Sequence, residues 1–211
     1  MAIDFNPTNS LEQAIHDYNV ENIIYSIVEN NRLNTLAPAG FLGNKKFSDE
    51  VVFTVLLLGM TNEQLNKTNN GWFYGYLRVG ERLKALIKQA IEPFPNTPTE
   101  GEKELIKAII YHDNQEIIHL IKNKNVKFNG FAPELLLMLP ELSKEATLTL
   151  LQDGISAKLK AVILAIFLNR TNHSNIIENF SYEEKIMYTN LMIKIISGKK
   201  LSSNEPWYPE H

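Results

Sequence analysis

The chain has 211 residues and a mass of 24.1 kDa, with 44% hydrophobic and 21% charged residues. This size suits one globular domain or two small units with a shared core, and the hydrophobic content excludes a disordered chain. The formal net charge is −3, whereas a protein that binds a nucleic-acid backbone is usually basic. The chain has no cysteine, which excludes disulfides, thiolate zinc sites and cysteine nucleophiles.

The beginning of the chain and its residue usage bear on location and source. Residues 1–10 contain neither a basic segment nor a long apolar stretch, so we expect no secretory signal and a cytoplasmic location. The longest apolar runs, 51–60 and 135–139, are far shorter than a membrane span, and no membrane partner is expected. The chain contains 23 Asn, 22 Ile and 17 Lys but only 4 Arg. This skew is typical of an AT-rich genome and indicates a bacterium or a phage.

The first half of the chain carries four segments with apolar residues at helical spacing: 11–18, 20–27, 48–59 and 82–91. Ser10 is the expected N-cap of the first segment, and Gly59 is expected to end the third. No stretch alternates apolar and polar residues in the way that strands do. We therefore expect little or no sheet.

An insertion over 61–81 separates the last two of these segments. It begins with polar residues and continues with aromatic side chains beside an arginine: Trp72, Phe73, Tyr74, Tyr76 and Arg78. Aromatic residues and arginine are enriched at the hot spots of protein interfaces, and inserted loops often carry specificity. We predict a protein-binding site at these five residues. Two alternatives stay open, namely that the aromatic residues fold inward as core or that they stack on nucleic-acid bases.

The second half of the chain follows a proline-rich linker over 93–101, which is expected to be stiff and extended. Further helical segments are predicted at 102–112, 115–124, 143–154, 157–169 and 182–197. Ser181 and Glu184 have the spacing of a capping box at the start of the last segment, and Gly198 follows its end.

The two halves are similar in sequence. Three blocks align in order: 11–31 with 105–125 at an offset of 94, 34–59 with 129–154 at an offset of 95, and 83–85 with 159–161 at an offset of 76. The matches include markers of helix ends, such as Gly59 with Gly154, although chance similarity between two isoleucine-rich segments is an alternative. We predict a single helical domain over 1–211, made of a first repeat unit over 10–92, a second over 102–180, and a terminal helix and tail over 181–211.

A family resemblance rests on two short segments. Residues 116–121 and the following 124–129 resemble the second helix and exit loop of an ankyrin repeat, and 11–34 is similar to them. The Thr-Pro-Leu-His turn of that family is absent, and a repeat of about 95 residues exceeds the ankyrin period of about 33. The resemblance implies an all-α fold of stacked antiparallel helical hairpins, an ankyrin-like or HEAT-like array that binds a protein through one face.

Candidate catalytic residues are few. Glu116 and His119 have the Glu-x-x-His spacing of di-iron bundles, but those sites need a second such pair and two further carboxylates. His112 is separated from them by an expected helix break at 113–114. The sequence contains no nucleophile-elbow, Walker or dinucleotide-binding motif. We therefore predict a non-enzymatic chain with no catalytic residue, metal or cofactor.

These observations together favour a protein–protein interaction module. Size, mild acidity, the lack of cysteine and the lack of a catalytic motif resemble the bacterial immunity proteins that neutralise toxins, so a toxin is the predicted partner. Two alternatives belong to other classes: a helical enzyme or ligand-binding domain with a pocket between the halves, and a helical-repeat protein that associates with nucleic acid. Nucleic acid is disfavoured by the negative charge.

Overall fold

The structure is a computed structural model that describes residues 7–69 and 80–202. These residues are mostly helical and form no β-strand, which confirms the all-α class for this part of the chain. An isolated parallel bridge joins Phe128 and Ile155. The chain divides into two compact units, Met1–Pro93 and Phe94–His211.

The described part of the first unit contains helices α1 Ser10–His16, α2 Val20–Val28, α3 Asp49–Thr54, α4 Asn62–Asn69 and α5 Glu81–Ile91. A 3-10 segment, Ala37–Gly43, precedes α3, and a π-helical turn, Val55–Gly59, continues it. The expected N-cap of α1 is wrong by one residue. Asn9 is the N-cap, because its backbone is extended and its side chain accepts a hydrogen bond from the Glu12 N–H at 3.0 Å.

The described part of the second unit contains helices α6 Glu100–Ile110, α7 Asn114–Lys122, α8 Lys144–Gln152, α9 Ala157–Phe167, α10 Ser174–Ile177 and α11 Tyr182–Ile196. A 3-10 segment, Pro133–Glu141, precedes α8. The predicted capping box of Ser181 and Glu184 is confirmed at the start of α11. Gly198 follows the helix with a φ of +79°, which glycine adopts without steric cost.

Each unit has its own apolar core. In the first unit α1 packs against α2 and the 3-10 segment, and the side chains of Leu11, Ile15 and Ile24 are fully buried. In the second unit α9 packs against α11, where the Tyr188 ring stacks on Phe167 with their centroids 5.2 Å apart. The aromatic and aliphatic side chains therefore hold each unit together by burial of apolar surface.

Elements recur between the two units at constant offsets. Helices α2 and α7 share both boundaries at an offset of 94, and α5 and α9 share both at an offset of 76. Tyr18 and His112, which are 94 positions apart, have nearly equal left-handed φ values of 55° and 54°. The same backbone hydrogen bond also recurs, from Leu33 to Gly59 at 2.7 Å and from Phe128 to Gly154 at 2.8 Å.

The exit turn of the second helix corrects the sequence alignment by one residue. The sequence alignment pairs Asn31 with Asn125. In the structure, however, Asn125 has a left-handed backbone with a φ of 53°, and the asparagine with this conformation in the first unit is Asn30, with a φ of 68°. Asn30 is therefore the structural counterpart of Asn125. Asparagine tolerates this conformation better than most residues. The extra residue of the second unit therefore lies before Asn125, in the turn that ends α7.

A buried glutamate fixes the loop after the second helix in each unit. The carboxylate of Glu12 accepts hydrogen bonds from the Thr8 N–H and hydroxyl at 2.8 and 2.7 Å, and from the Asn34 N–H at 2.9 Å. In the second unit, Glu102 accepts from the Thr99 N–H and hydroxyl, both at 2.8 Å, and from the Asn129 N–H at 2.7 Å. We call this arrangement the glutamate lock; it joins the start of the first helix to a loop 22 or 27 residues away.

Both lock glutamates are nearly inaccessible to solvent, with exposed fractions of 0% for Glu12 and 3% for Glu102. Burial by itself would raise the pKa of each carboxyl group, but the hydrogen bonds from Thr8 and Asn34, and from Asn129 and Thr99, outweigh it. The pKa of both groups is therefore lower than the ordinary glutamate value. Within the part of the chain that the structure describes, hydrogen-bond donors therefore stabilise both buried anions.

Candidate protein-binding surface

An open groove runs along the outside of α6 and α7 in the second unit. We call it the α6–α7 groove, and six residues line it: Glu104, Lys107, Ala108, Tyr111, Asp113 and Glu116. Tyr111, at the end of α6, is 71% exposed, and the preceding Ile110 is 51% exposed. Large apolar side chains that remain in contact with water next to a groove are typical of interaction surfaces.

The turn between α6 and α7 determines which side chains meet in this groove. The Tyr111 N–H closes α6 by donating to the Lys107 carbonyl, and His112 turns the chain with a φ of 54°. Asp113 then caps α7, since its side chain accepts a hydrogen bond from the Glu116 N–H at 3.1 Å. A break separates the two helices as predicted, but it lies at 111–113 rather than at 113–114. This turn places Tyr111 and Glu116 on the same groove.

The α6–α7 groove is acidic. Three carboxylates and one ammonium group give it a formal charge of 1 − 3 = −2, from Glu104, Asp113, Glu116 and Lys107. Glu104 is partly compensated by Lys124, whose Nζ lies 3.8 Å from its Oε2 between two half-exposed side chains. Such an exposed pair contributes little stability. The groove therefore presents negative charge around an apolar side chain.

The equivalent surface of the first unit is polar, and its side chains form hydrogen bonds with one another. At an offset of 94, Ile110 and Tyr111 correspond to His16 and Asp17. His16 Nδ1 lies 2.9 Å from Asp17 Oδ1, and Gln13 donates to Asp17 Oδ2 at 2.7 Å. These hydrogen bonds lower the pKa of Asp17. The two units thus differ at this place, and the second unit has exposed apolar side chains where the first has a polar cluster.

The site residues predicted in the insertion lie outside the described residues. These are Trp72, Phe73, Tyr74, Tyr76 and Arg78, which fall in 70–79. The insertion also contains the helix α4, whose almost entirely polar sequence lacks the apolar spacing that predicts a helix. Its Gln64 side chain donates to the Leu33 carbonyl at 2.8 Å, which ties the insertion to the first unit.

The histidines around the groove do not form a metal site in the described part of the chain. Nδ1 of His112 lies 3.8 Å from Glu141 Oε2, and His112 Nε2 is buried without a hydrogen-bond partner. His119 is exposed, and its Nδ1 lies 2.9 Å from Asn123 Nδ2. Among the described residues, no three His, Asp or Glu side chains lie close enough together to hold a metal ion.

The comparisons with known proteins give no further guide to this surface. No family model, curated protein or solved structure matches the chain. The residues of the chain are therefore the guide to its function.

Two further observations concern alternative kinds of site. The apolar interior of the second unit contains a gap of about 30 Å³ among side chains that include Phe128, Leu136 and Leu150. A cavity of this volume has room for about two water molecules, which is far less than a typical ligand site needs. Within 7–69 and 80–202, no helix has the length and apolar composition needed to cross a membrane.

Proposed function

We propose that this chain is a non-enzymatic protein-binding module, built as an array of stacked helical hairpins, and that it acts as a bacterial immunity protein that neutralises a toxin. The observation that carries the binding proposal is the 71% exposure of Tyr111 in an acidic groove. The recurrence of α2 as α7 and of α5 as α9 supports the array.

The chemistry of the α6–α7 groove favours a basic partner with an apolar pocket. Tyr111 can insert its ring into such a pocket, while Asp113 and Glu116 attract lysine and arginine side chains around it. A toxin that degrades nucleic acid has a basic surface because it must bind phosphates. An acidic inhibitor that covers this surface would associate quickly and block the substrate.

Affinity capture with the full chain as bait tests the proposal. The wild-type chain should retain one basic protein in stoichiometric amount from a lysate of its source organism. Tyr111→Ala should weaken binding by about 30-fold, because the loss of an interface tyrosine costs about 2 kcal/mol. Tyr25→Ala is the matched control, since Tyr25 is 59% exposed in the first unit and does not line the groove.

Protection of living cells then distinguishes an immunity protein from other binding modules. Expression of the captured protein alone should stop growth, and co-expression with the wild-type chain should restore it. Co-expression with the Tyr111→Ala variant should restore growth less well. A chain that captures no stoichiometric partner, or one whose partner is harmless, contradicts the proposal.

The predicted site in the insertion is tested in the same assays. Trp72, Tyr74 and Tyr76 are replaced singly by Ala. A folded variant that has lost binding assigns the residue to the interface, whereas a variant that has lost its folding assigns it to the core.

A further inference from the structure

Helix α11 carries apolar side chains on two opposite sides. On its inner side Tyr188 and Leu191 are buried where the helix packs against α8 and α9. On its outer side Tyr182 is 73% exposed, Ile186 is 44% exposed and Ile193 is half-buried. At 100° per residue these three outer side chains lie within about 40° of one another, and we call them the outer stripe.

A helix that faces water on one side normally carries polar residues there. The outer stripe departs from this pattern, so it has the composition of a surface that another helix covers. Charged residues lie beside it with opposite signs at its two ends. Glu183 is exposed in the first turn, and Lys194 is half-exposed in the last turn.

We propose that the outer stripe pairs with the outer stripe of a second copy of this chain, antiparallel, about a two-fold axis near Tyr188. Tyr182 and Ile193 are 11 positions apart, which is close to three helical turns. An antiparallel pair therefore places Tyr182 of each copy against Ile193 of the other, and the two Ile186 side chains lie side by side at the centre.

The charges are complementary in this orientation. The same alignment places Glu183 of each copy close to Lys194 of the other, so the pair forms twice in a symmetric interface. Glu183 and Lys194 lie on the same flank of the outer stripe, about 80° and 100° from its centre, and an antiparallel two-fold pair brings equal flanks together. The helix is thus complementary to its own reversed copy in both apolar and charged groups.

Sedimentation equilibrium of the full chain over a range of concentrations tests the self-association. The wild-type chain should form dimers, and Ile186→Glu should raise the dissociation constant by about 100-fold, because both copies lose a central apolar contact. Tyr25→Glu is the control, because Tyr25 is also an exposed apolar side chain but lies outside α11, and it should leave the constant unchanged. A wild-type chain that stays monomeric at every concentration, or a dimer that Ile186→Glu does not weaken, overturns the proposal.

A charge exchange tests the orientation. Glu183→Lys and Lys194→Glu should each weaken the dimer, and the double variant should recover it, because the exchanged charges again face each other. Circular dichroism of each variant confirms that α11 is folded. A double variant that is weaker than both single variants overturns the antiparallel pairing.

Because the chain has no cysteine, cross-linking gives an independent result. A Tyr182→Cys chain mixed with an Ile193→Cys chain should form a disulfide-linked heterodimer, since a disulfide requires Cα atoms within about 7 Å. Efficient linkage of Tyr182→Cys chains to one another contradicts the proposed orientation.

Discussion

Replacing Glu102 by Gln tests the glutamate lock of the second unit. The carboxylate accepts from the Thr99 N–H and hydroxyl on one oxygen and from the Asn129 N–H on the other. Glutamine keeps one acceptor oxygen and places an NH2 group at the other position. If the oxygen faces Asn129, the NH2 group faces the Thr99 N–H, so two donors oppose each other at a buried site.

The size of the effect follows from the number of hydrogen bonds. One or two bonds to a charged acceptor are lost, each worth about 1.5–3 kcal/mol, and an N–H group remains buried without a partner. We expect Glu102→Gln to lower the free energy of unfolding at neutral pH by roughly 2–4 kcal/mol. Glu134→Gln is the matched control, because Glu134 is exposed in the same unit, and it should change stability by less than about 0.5 kcal/mol.

The effect depends on pH in a defined direction. The pKa of Glu102 is lower in the folded chain than the ordinary value of 4.5. Its carboxylate therefore stabilises the fold above pH 4.5, and this contribution is lost as the pH falls through the folded pKa. The difference between wild type and Glu102→Gln should thus be largest near neutral pH and shrink in acid.

Urea unfolding followed by circular dichroism at several pH values measures these differences. Amide hydrogen exchange should show faster exchange at Thr99 and Asn129 in Glu102→Gln, whereas the first unit should be unaffected. Two results would contradict the assigned role of Glu102: a variant as stable as the wild type near neutral pH, or a stability difference between the two that does not change with pH.

Two further predictions concern stability. In Gly154→Ala the new Cβ would lie 2.5 Å from the Cδ1 atom of Ile121, so thermal unfolding should show that the free energy of unfolding falls by about 1–3 kcal/mol. Gly80→Ala is the control, because a Cβ there would meet no atom within 4 Å, and it should change stability by less than about 0.5 kcal/mol. Arg82 donates hydrogen bonds to the Asn44 and Phe47 carbonyls and to the Asp49 carboxylate at 2.9, 2.7 and 2.6 Å. Urea unfolding should therefore show that Arg82→Ala lowers the free energy of unfolding by about 1–3 kcal/mol. Arg82→Lys should recover less than half of that loss, because an ammonium group cannot reach several acceptors at once as the planar guanidinium does.

The helices could largely be predicted from sequence because their signals are local. Apolar spacing and the capping box of Ser181 and Glu184 place α11 to within a residue of its observed bounds. The N-cap of α1 was misplaced because Asn9 and Ser10 are both good capping residues and only the backbone conformation decides between them. The π-helical turn Val55–Gly59 has no local signature that separates it from an α-helix.

The proposed binding surface and the glutamate lock could not be predicted, because they depend on tertiary contacts. Tyr111 directly follows two isoleucines in the sequence, and only the packed structure shows that its ring is exposed. Glu102 is recognisable as part of a capping box with Thr99, but its bond to Asn129 joins segments 27 residues apart. Sequence spacing alone contains no information about that contact.

The two lock glutamates are not at equivalent positions of the repeat, although both join a helix start to a later loop. Glu12 and Glu102 are 90 positions apart, whereas the ends of their helices are 94 apart, because α6 is four residues longer than α1. In each unit the glutamate is the third residue of its helix. Its position is therefore constant relative to the start of the helix, not relative to the offset between the two repeat units. A related protein can therefore keep the glutamate lock even when none of the neighbouring residues is identical. Distant relatives are better sought by a capped helix start with an acidic third residue, followed by two helices and a π or glycine turn, than by matching residues one for one.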